Sequence, residues 1–204
     1  RGSARHANQA SKIRDSSGAG WITRNQCGQE VLMALTCELW RILRNEFRLD
    51  WKGIHGAPHW SRVLAHGRHL SARTGAILPV VELFAALHDV KRRHDGGDPE
   101  HGLRAADFAD WLHRRSLIEL SKPDLRLLLD ALAGHSSGRI QADPTIQVCW
   151  DADRLDLGRV GVMPDPARLC TVPARDPEYI RRAYVWSLGS SARGDAPVDD
   201  DRSA

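Results

Sequence analysis

Apolar residues recur at steps of three and four residues along most of the chain, which is the period of an amphipathic α-helix. The first such segment runs from Cys27 to Trp51, and a loop with two glycines and a proline, 53–58, ends it. No stretch shows the two-residue alternation that is typical of a half-buried strand. The pattern therefore predicts helices throughout.

Seven helices are predicted, most of them bounded by glycine, proline or an Asp-Pro pair. Aspartate suits the N-cap and proline the first turn. The predicted helices run from Cys27 to Trp51, His59 to Arg73, Pro79 to Arg93, Asp98 to Arg114, Ser121 to Gly134, Asp143 to Gly158 and Asp176 to Leu188. We expect an all-α, single-domain helical bundle over 21–188, between a flexible leader 1–20 and a flexible tail 189–204.

Composition narrows the class of protein. Basic and acidic residues number 29 and 26 and are mixed along the chain, which argues against a nucleic-acid-binding face. No run approaches the roughly 18 apolar residues that span a bilayer. The 4 cysteines have no CxxC spacing and are expected as reduced thiols in a cytoplasmic protein. A homo-oligomer is left open.

Histidine and aspartate occur at unusual places in this pattern. His59 opens a helix directly after the glycine and proline loop, where its side chain can face a cleft. His88 and Asp89 follow the most apolar stretch of the chain, and a charge buried there costs several kcal/mol unless it is paired or bound to a metal. Imidazole nitrogens with carboxylate oxygens suit Mn, Fe, Co, Ni or Zn, and Mg less well.

Four segments in this order resemble the HD-domain metal-dependent phosphohydrolases. They are His59-Trp60-Ser61-Arg62-Val63, Leu87-His88-Asp89, Asp98-Pro99-Glu100-His101-Gly102 and Asp151-Ala152-Asp153-Arg154-Leu155-Asp156. The resemblance covers about residues 54–162. It implies an HD-type helical fold that holds one or two divalent metal ions, with His59, His88, Asp89 and Asp153 as ligands.

The last of the four ligands has two candidate positions. Asp153 is chosen because the resemblance places the family's final ligand in the stretch Ala152-Asp153-Arg154-Leu155. Asp151, two residues earlier, is the alternative. Asp156 shares a helix face with Asp153, so it is a candidate for supporting a ligand from behind.

The resemblance also directs attention to the interval between the His-Asp pair and the last aspartate. His101 and His135 fall there, and either they bind a second metal ion or they contact the phosphate and donate a proton to the leaving oxygen. Arg92 is the candidate for binding the substrate phosphate, ahead of Arg62 and Arg93. In the family branch that cleaves guanosine tetraphosphate an acidic pair follows the His-Asp motif. Lys91-Arg92-Arg93 stands here instead, and this departure argues against that particular substrate.

The expected function is metal-dependent hydrolysis of a small phosphate ester, such as a nucleotide or related phosphomonoester, as the resemblance implies. Two alternatives remain: a metal-binding sensor without turnover, and a di-iron oxygenase on the same helical scaffold. Trp60 is a candidate for nucleobase contact. His55, His94 and His113 are expected at the surface, and His66 and His69 in solvated or capping positions.

Overall fold

A computed structural model describes residues 12–14, 21–24, 30–32 and 35–189. Within these ranges the protein is all-α apart from three short strands that precede the first helix. The helices are α1 (Cys37–Glu46), α2 (Ala57–Thr74), α3 (Leu78–Leu87), α4 (His101–Arg114), α5 (Lys122–Gly134), α6 (Pro144–Arg154) and α7 (Pro177–Leu188). The predicted all-α class and the number of helices are confirmed.

The strands form an antiparallel sheet in the order β1 (Lys12–Arg14), β2 (Trp21–Arg24) and β3 (Glu30–Leu32). Ile13 pairs with Ile22, and Thr23 pairs with Val31. The sequence pattern predicts no strand, and it is wrong here because strands of three or four residues are too short to show an alternation. The first predicted helix is also too long, since Glu30–Leu32 is a strand and α1 begins at Cys37.

The expected leader contains β1, and its other residues lie outside the described ranges. The expected tail lies outside them too, except for Gly189. In the described part of the chain, none of the helices has the length and apolar character that crossing a bilayer requires.

Helix α3 is the centre of the bundle, and all of its residues from Val80 to Leu87 are buried. It packs against α2, α5 and α6, while α4 packs on α5. The close approach of α2 to α3 depends on Gly67, because a Cβ atom there would meet Val81 Cγ1 at 2.5 Å. Proline in the first turn starts α2, α3, α5, α6 and α7, as the sequence predicts for a residue with a fixed φ and no N–H.

Apart from the first helix, whose end lies at Glu46 rather than Trp51, three predicted helix boundaries are wrong, and all three lie beside the candidate site. Helix α3 ends at Leu87 rather than Arg93, and in the following turns the backbone bonds connect residues three apart rather than four, such as Arg92 N to Asp89 O at 3.0 Å. Helix α6 ends at Arg154 and is followed by the 3-10 segment Leu157–Val160. No glycine or proline marks either end, so the pattern alone runs past both.

The third wrong boundary is the start of α4. Glu100, rather than Asp98, is the N-cap residue. The Asp98 carboxylate instead accepts hydrogen bonds from Arg104 Nη2 at 2.6 and 2.7 Å and from Arg93 N at 2.8 Å. A charged donor holds a carboxylate more strongly than a backbone N–H does, so Asp98 ties the turn after α3 to α4.

Candidate metal centre

The predicted ligands converge because each lies at the end of a helix, and these ends meet on one side of the bundle. His59 is in the first turn of α2 and His101 opens α4. His88 and His135 directly follow α3 and α5, and Asp153 is in the last turn of α6. Three C-terminal ends therefore face this region, and the partial negative charge of a helix C-terminus favours a bound cation.

The first group of ligand atoms comprises His59, His88, Asp89 and Asp153. His59 Nε2 lies 2.9 Å from His88 Nε2 and 3.4 Å from Asp153 Oδ1. Asp89 Oδ2 lies 3.7 Å from His59 Nε2 and 3.6 Å from His88 Nε2. Bonds of about 2.1 Å to one metal ion place neighbouring ligand atoms about 3.0 to 3.4 Å apart, which is close to this spacing.

A second group shares Asp89 with the first. His101 Nε2 lies 2.7 Å from His135 Nε2 and 3.3 Å from Asp89 Oδ1. The two oxygens of Asp89 thus face different pairs of histidines: Oδ2 faces His59 and His88, and Oδ1 faces His101. Asp89 is 2 % exposed, so its charge lies between two histidine pairs away from solvent.

All four histidines have the same tautomer, fixed by an oxygen acceptor behind each ring. Nδ1 of His59 donates to Asp156 Oδ2 at 2.6 Å, and Nδ1 of His88 donates to Ala85 O at 3.1 Å. His135 donates in the same way to Leu132 O at 2.7 Å, and His101 to the Asp98 carbonyl. Each Nε2 therefore presents a lone pair to the site.

Two lone pairs that face each other at 2.9 or 2.7 Å repel unless a proton or a cation lies near both. The donor set therefore fits a divalent metal ion, with buried imidazoles and a buried carboxylate in each group of three. His59, His88 and Asp89 form one such group, and Asp89, His101 and His135 form the other. Asp153 lies beside the first group, with Oδ1 3.4 Å from His59 Nε2.

The protonation states agree with this arrangement. Burial lowers the pKa of His88 to about 3, so that ring is neutral at physiological pH. Burial opposes ionisation of Asp89, but the surrounding histidines and the hydrogen bond from His55 hold the pKa of this carboxyl well below its usual value. His88 and Asp89 are thus in the forms that bind metals, neutral imidazole and ionised carboxylate.

A buried carboxylate supports His59 from behind. Asp156 is fully buried and accepts from His59 Nδ1, while Arg62 Nε and Nη2 bind its two oxygens at 2.5 and 2.9 Å. Such a partner fixes the ring orientation of a ligand histidine and raises its basicity. The hydrogen bonds to Asp153 and Asp156 raise the pKa of His59 although burial and Arg159 act to lower it. The predicted supporting position of Asp156 matches this contact.

Asp151, unlike Asp156, binds a backbone segment rather than a histidine of the site. Its carboxylate accepts from the backbone N–H of Cys170 at 2.6 Å and from the N–H and hydroxyl of Thr171, both at 2.8 Å. It therefore fastens the segment before α7 to α6, and its oxygens are occupied away from the site. Between the two alternatives for the last ligand, the geometry favours Asp153.

Arg92 lies at the second group. Its Nε and Nη2 donate to the carbonyls of His94 and Gly96 at 3.0 and 2.9 Å, which holds the guanidinium in place. Nη1 lies 3.1 Å from His101 Nε2 and 3.5 Å from Asp89 Oδ1. An arginine can only donate, and the shorter of its two contacts with the His101 ring is the one to Nε2. Arg62 is bound to Asp156, and Arg93 is exposed.

Several expectations for other residues are wrong. His55 is 6 % exposed rather than at the surface, and its Nδ1 donates to Asp89 Oδ2 at 2.8 Å. His66 is fully buried, and its Nδ1 pairs with the Tyr179 hydroxyl at 2.8 Å. Trp60 is 1 % exposed and packs against other aromatic rings, so it cannot contact a nucleobase.

Sequence reasoning also missed Arg159. Its side chain is 8 % exposed, and Nη2 lies 3.7 Å from Asp153 Oδ1. Nothing in the hydrophobic period distinguishes Arg159 or His55 from surface residues. Only His55 offered a local signal, because it stands in the same glycine and proline loop that precedes His59.

Comparisons with known proteins bear on the fold. No family model matches the chain, and no curated protein does. Among solved structures, the chain is similar to the crystal structure of a predicted HD superfamily hydrolase from an uncultured Thermotogales bacterium. The two are 24% identical with a TM-score of 0.56, over 74% of this chain and 86% of that one. The chain therefore has an HD-type helical fold around its histidine and aspartate site.

Proposed function

We propose that this protein is a metal-dependent hydrolase of phosphate esters. The observation that carries the proposal is the pair of histidine groups on either side of Asp89, with every Nε2 directed inward. A hydrolase is also the kind of protein that the structural neighbour is predicted to be. The proposed ligands of the first ion are His59, His88, Asp89 and Asp153.

His101 and His135 are better suited to holding a second ion than to donating a proton. A general acid needs a proton on the nitrogen that faces the substrate. Both rings have their proton on Nδ1, bound to a carbonyl. Burial and the neighbouring His135 also lower the pKa of His101, which favours its neutral form.

The other residues of the site fit the binding of a phosphate. Arg92 is held by two carbonyl oxygens beside Asp89 and His101, where its positive charge can bind phosphate oxygens. His55 keeps Asp89 oriented from the other side. A divalent ion bound here supplies Lewis acidity and lowers the pKa of water.

The proposal is tested by measuring metal content per chain and phosphate release from p-nitrophenyl phosphate with Mn²⁺, Co²⁺, Ni²⁺, Zn²⁺ or Mg²⁺. We expect Asp89→Ala to lose bound metal and turnover while its helical circular dichroism persists, because Asp89 belongs to both groups. Asp130→Ala, on the exposed face of α5, is the matched control and should behave as the parent protein.

Three results would contradict the proposal. Metal retained by Asp89→Ala would show that the site is misassigned. Metal bound without release of phosphate from any nucleotide or sugar phosphate would leave a sensor module. Two iron ions per chain with oxygen uptake, again without phosphate release, would favour the oxygenase.

A further inference from the structure

A basic cleft adjoins the metal centre. It has a volume of about 460 Å³ and lies between the end of α1, the turn that follows His88-Asp89, and α4. Arg48, Lys91, Arg92, Arg93 and Arg104 line it, against only two acidic side chains, Glu46 and Asp107. This concentration of positive charge contrasts with the mixed charge along the rest of the chain.

Three of the cations already have carboxylate partners, and for Arg92 the partner is Asp89 of the metal centre, with Nη1 3.5 Å from Oδ1. Lys91 Nζ lies 2.5 Å from Glu46 Oε2, and Arg104 Nη2 lies 2.6 Å from Asp98 Oδ2. Arg48 and Arg93 are exposed, and within the described ranges neither side chain has an ion-pair partner. Arg48 and Arg93 therefore leave positive charge at the open side of the cleft, and an anion with more than one charge is the ligand that complements it.

Arg92 connects the cleft to the metal centre. The same side chain lines the cleft and reaches 3.1 Å from His101 Nε2 with its Nη1. Lys91, Arg92 and Arg93 directly follow Val90, so the turn that positions Asp89 also forms one wall of the cleft. A substrate with one phosphate at the metal centre can extend over Arg92 into the cleft.

We infer that the basic cleft binds a second phosphate of the substrate, beyond the one that is hydrolysed. The substrate class is then a phosphate ester with at least two phosphate groups. Guanidinium groups bind phosphate oxygens with paired hydrogen bonds, and Arg48 and Arg93 supply two such groups at the open side. The inference about the substrate rests on the proposed function, whereas anion binding by the cleft does not.

The cleft is tested first without metal. Inorganic tripolyphosphate is titrated into the full chain in EDTA, and binding is followed by calorimetry. We expect the double variant Arg48→Gln/Arg93→Gln to bind about tenfold more weakly or worse, since two charge-assisted contacts are lost. Arg126→Gln/Arg181→Gln removes the same charge from exposed helix faces elsewhere and should bind as the parent protein does.

Equal affinity of the double variant and the parent protein would overturn the inference, as would binding that requires added Mn²⁺, since the anion would then lie on the metal. If the control double variant lost as much tripolyphosphate affinity as Arg48→Gln/Arg93→Gln, the effect would come from net charge alone. That result would also overturn the inference. These results do not depend on turnover. Absence of hydrolysis would refute the proposed function and leave the binding result standing.

The connection to the metal centre is tested by kinetics with p-nitrophenyl phosphate. Tripolyphosphate should inhibit the parent protein competitively, and the double variant should need about tenfold more of it. Inhibition that is equally strong in both proteins would place the inhibitor away from the cleft and overturn the inferred substrate class.

Discussion

At the scale of single residues, the site depends on what lies behind each ligand. Asp156 and Asp151 are both fully buried, and they are five residues apart in the same stretch of chain. One carboxylate holds a ligand histidine and the other holds a backbone segment. Substitutions of equal size at these two positions should therefore have different effects.

We expect Asp156→Asn to weaken metal binding by about 10- to 100-fold, because His59 loses the acceptor that orients its ring. Asp151→Asn should lower the free energy of unfolding by about 1 to 3 kcal/mol, since backbone N–H groups lose a charged acceptor. Its metal affinity should remain that of the parent protein. Titration with Co²⁺ and urea unfolding measure the two quantities, and equal losses of metal affinity would show that Asp156 acts only through the fold.

At the scale of elements, the second histidine pair depends on how closely α4 approaches α5. Gly102 follows His101 in the first turn of α4, and a Cβ atom there would meet Leu132 O at 2.5 Å and His135 Nδ1 at 3.2 Å. Leu132 O is also the acceptor that fixes the His135 ring. The absent side chain thus permits the contact between His101 and His135.

Gly102→Ala tests this contact. Alanine favours a helix by about 1 kcal/mol over glycine, but the clash with a backbone oxygen costs about 1 to 3 kcal/mol. We expect a net loss of stability in urea unfolding and fewer metal ions bound per chain. Gly97→Ala is the control, because nothing lies within 4 Å of its added Cβ atom. A stabilised Gly102→Ala protein with unchanged metal content would contradict the prediction.

At the scale of the whole molecule, α7 closes the bundle over α2 through a buried histidine. His66 Nδ1 pairs with the Tyr179 hydroxyl, and within the described residues its Nε2 has no hydrogen-bond partner. Burial lowers the pKa of His66 from 6.5 to about 4. The imidazole is thus neutral in the folded protein at a pH where the unfolded chain is protonated.

This difference makes stability depend on pH. Above pH 6.5 the ring is neutral in both states and contributes no dependence. As pH falls from 6.5 to about 4, the unfolded chain binds a proton that the folded protein does not, so the free energy of unfolding falls. The slope is at most about 1.4 kcal/mol per pH unit. Below about pH 4 both states are protonated and this contribution levels off.

We expect His66→Gln to reduce that slope between pH 6.5 and 4, measured by urea unfolding at a series of pH values. Glutamine keeps a polar group near Tyr179 and does not titrate. His94→Gln, at an exposed position in the loop before α4, should leave the slope unchanged. An identical slope in His66→Gln and the parent protein would refute a buried neutral His66.

The sequence by itself determined the helical class, because helix period and capping are local properties. The four proposed ligands came from the order of segments that resembles a known family, with the His-Asp pair beside an apolar stretch. Tertiary structure alone decided which carboxylate supports which histidine. His59 and Asp156 are 97 residues apart, and Asp89 and His55 are 34 apart, so no local pattern can pair them. The tertiary structure also decided the helix ends at Leu87 and Arg154. No glycine or proline marks these ends, and side-chain and backbone contacts at the site take their place.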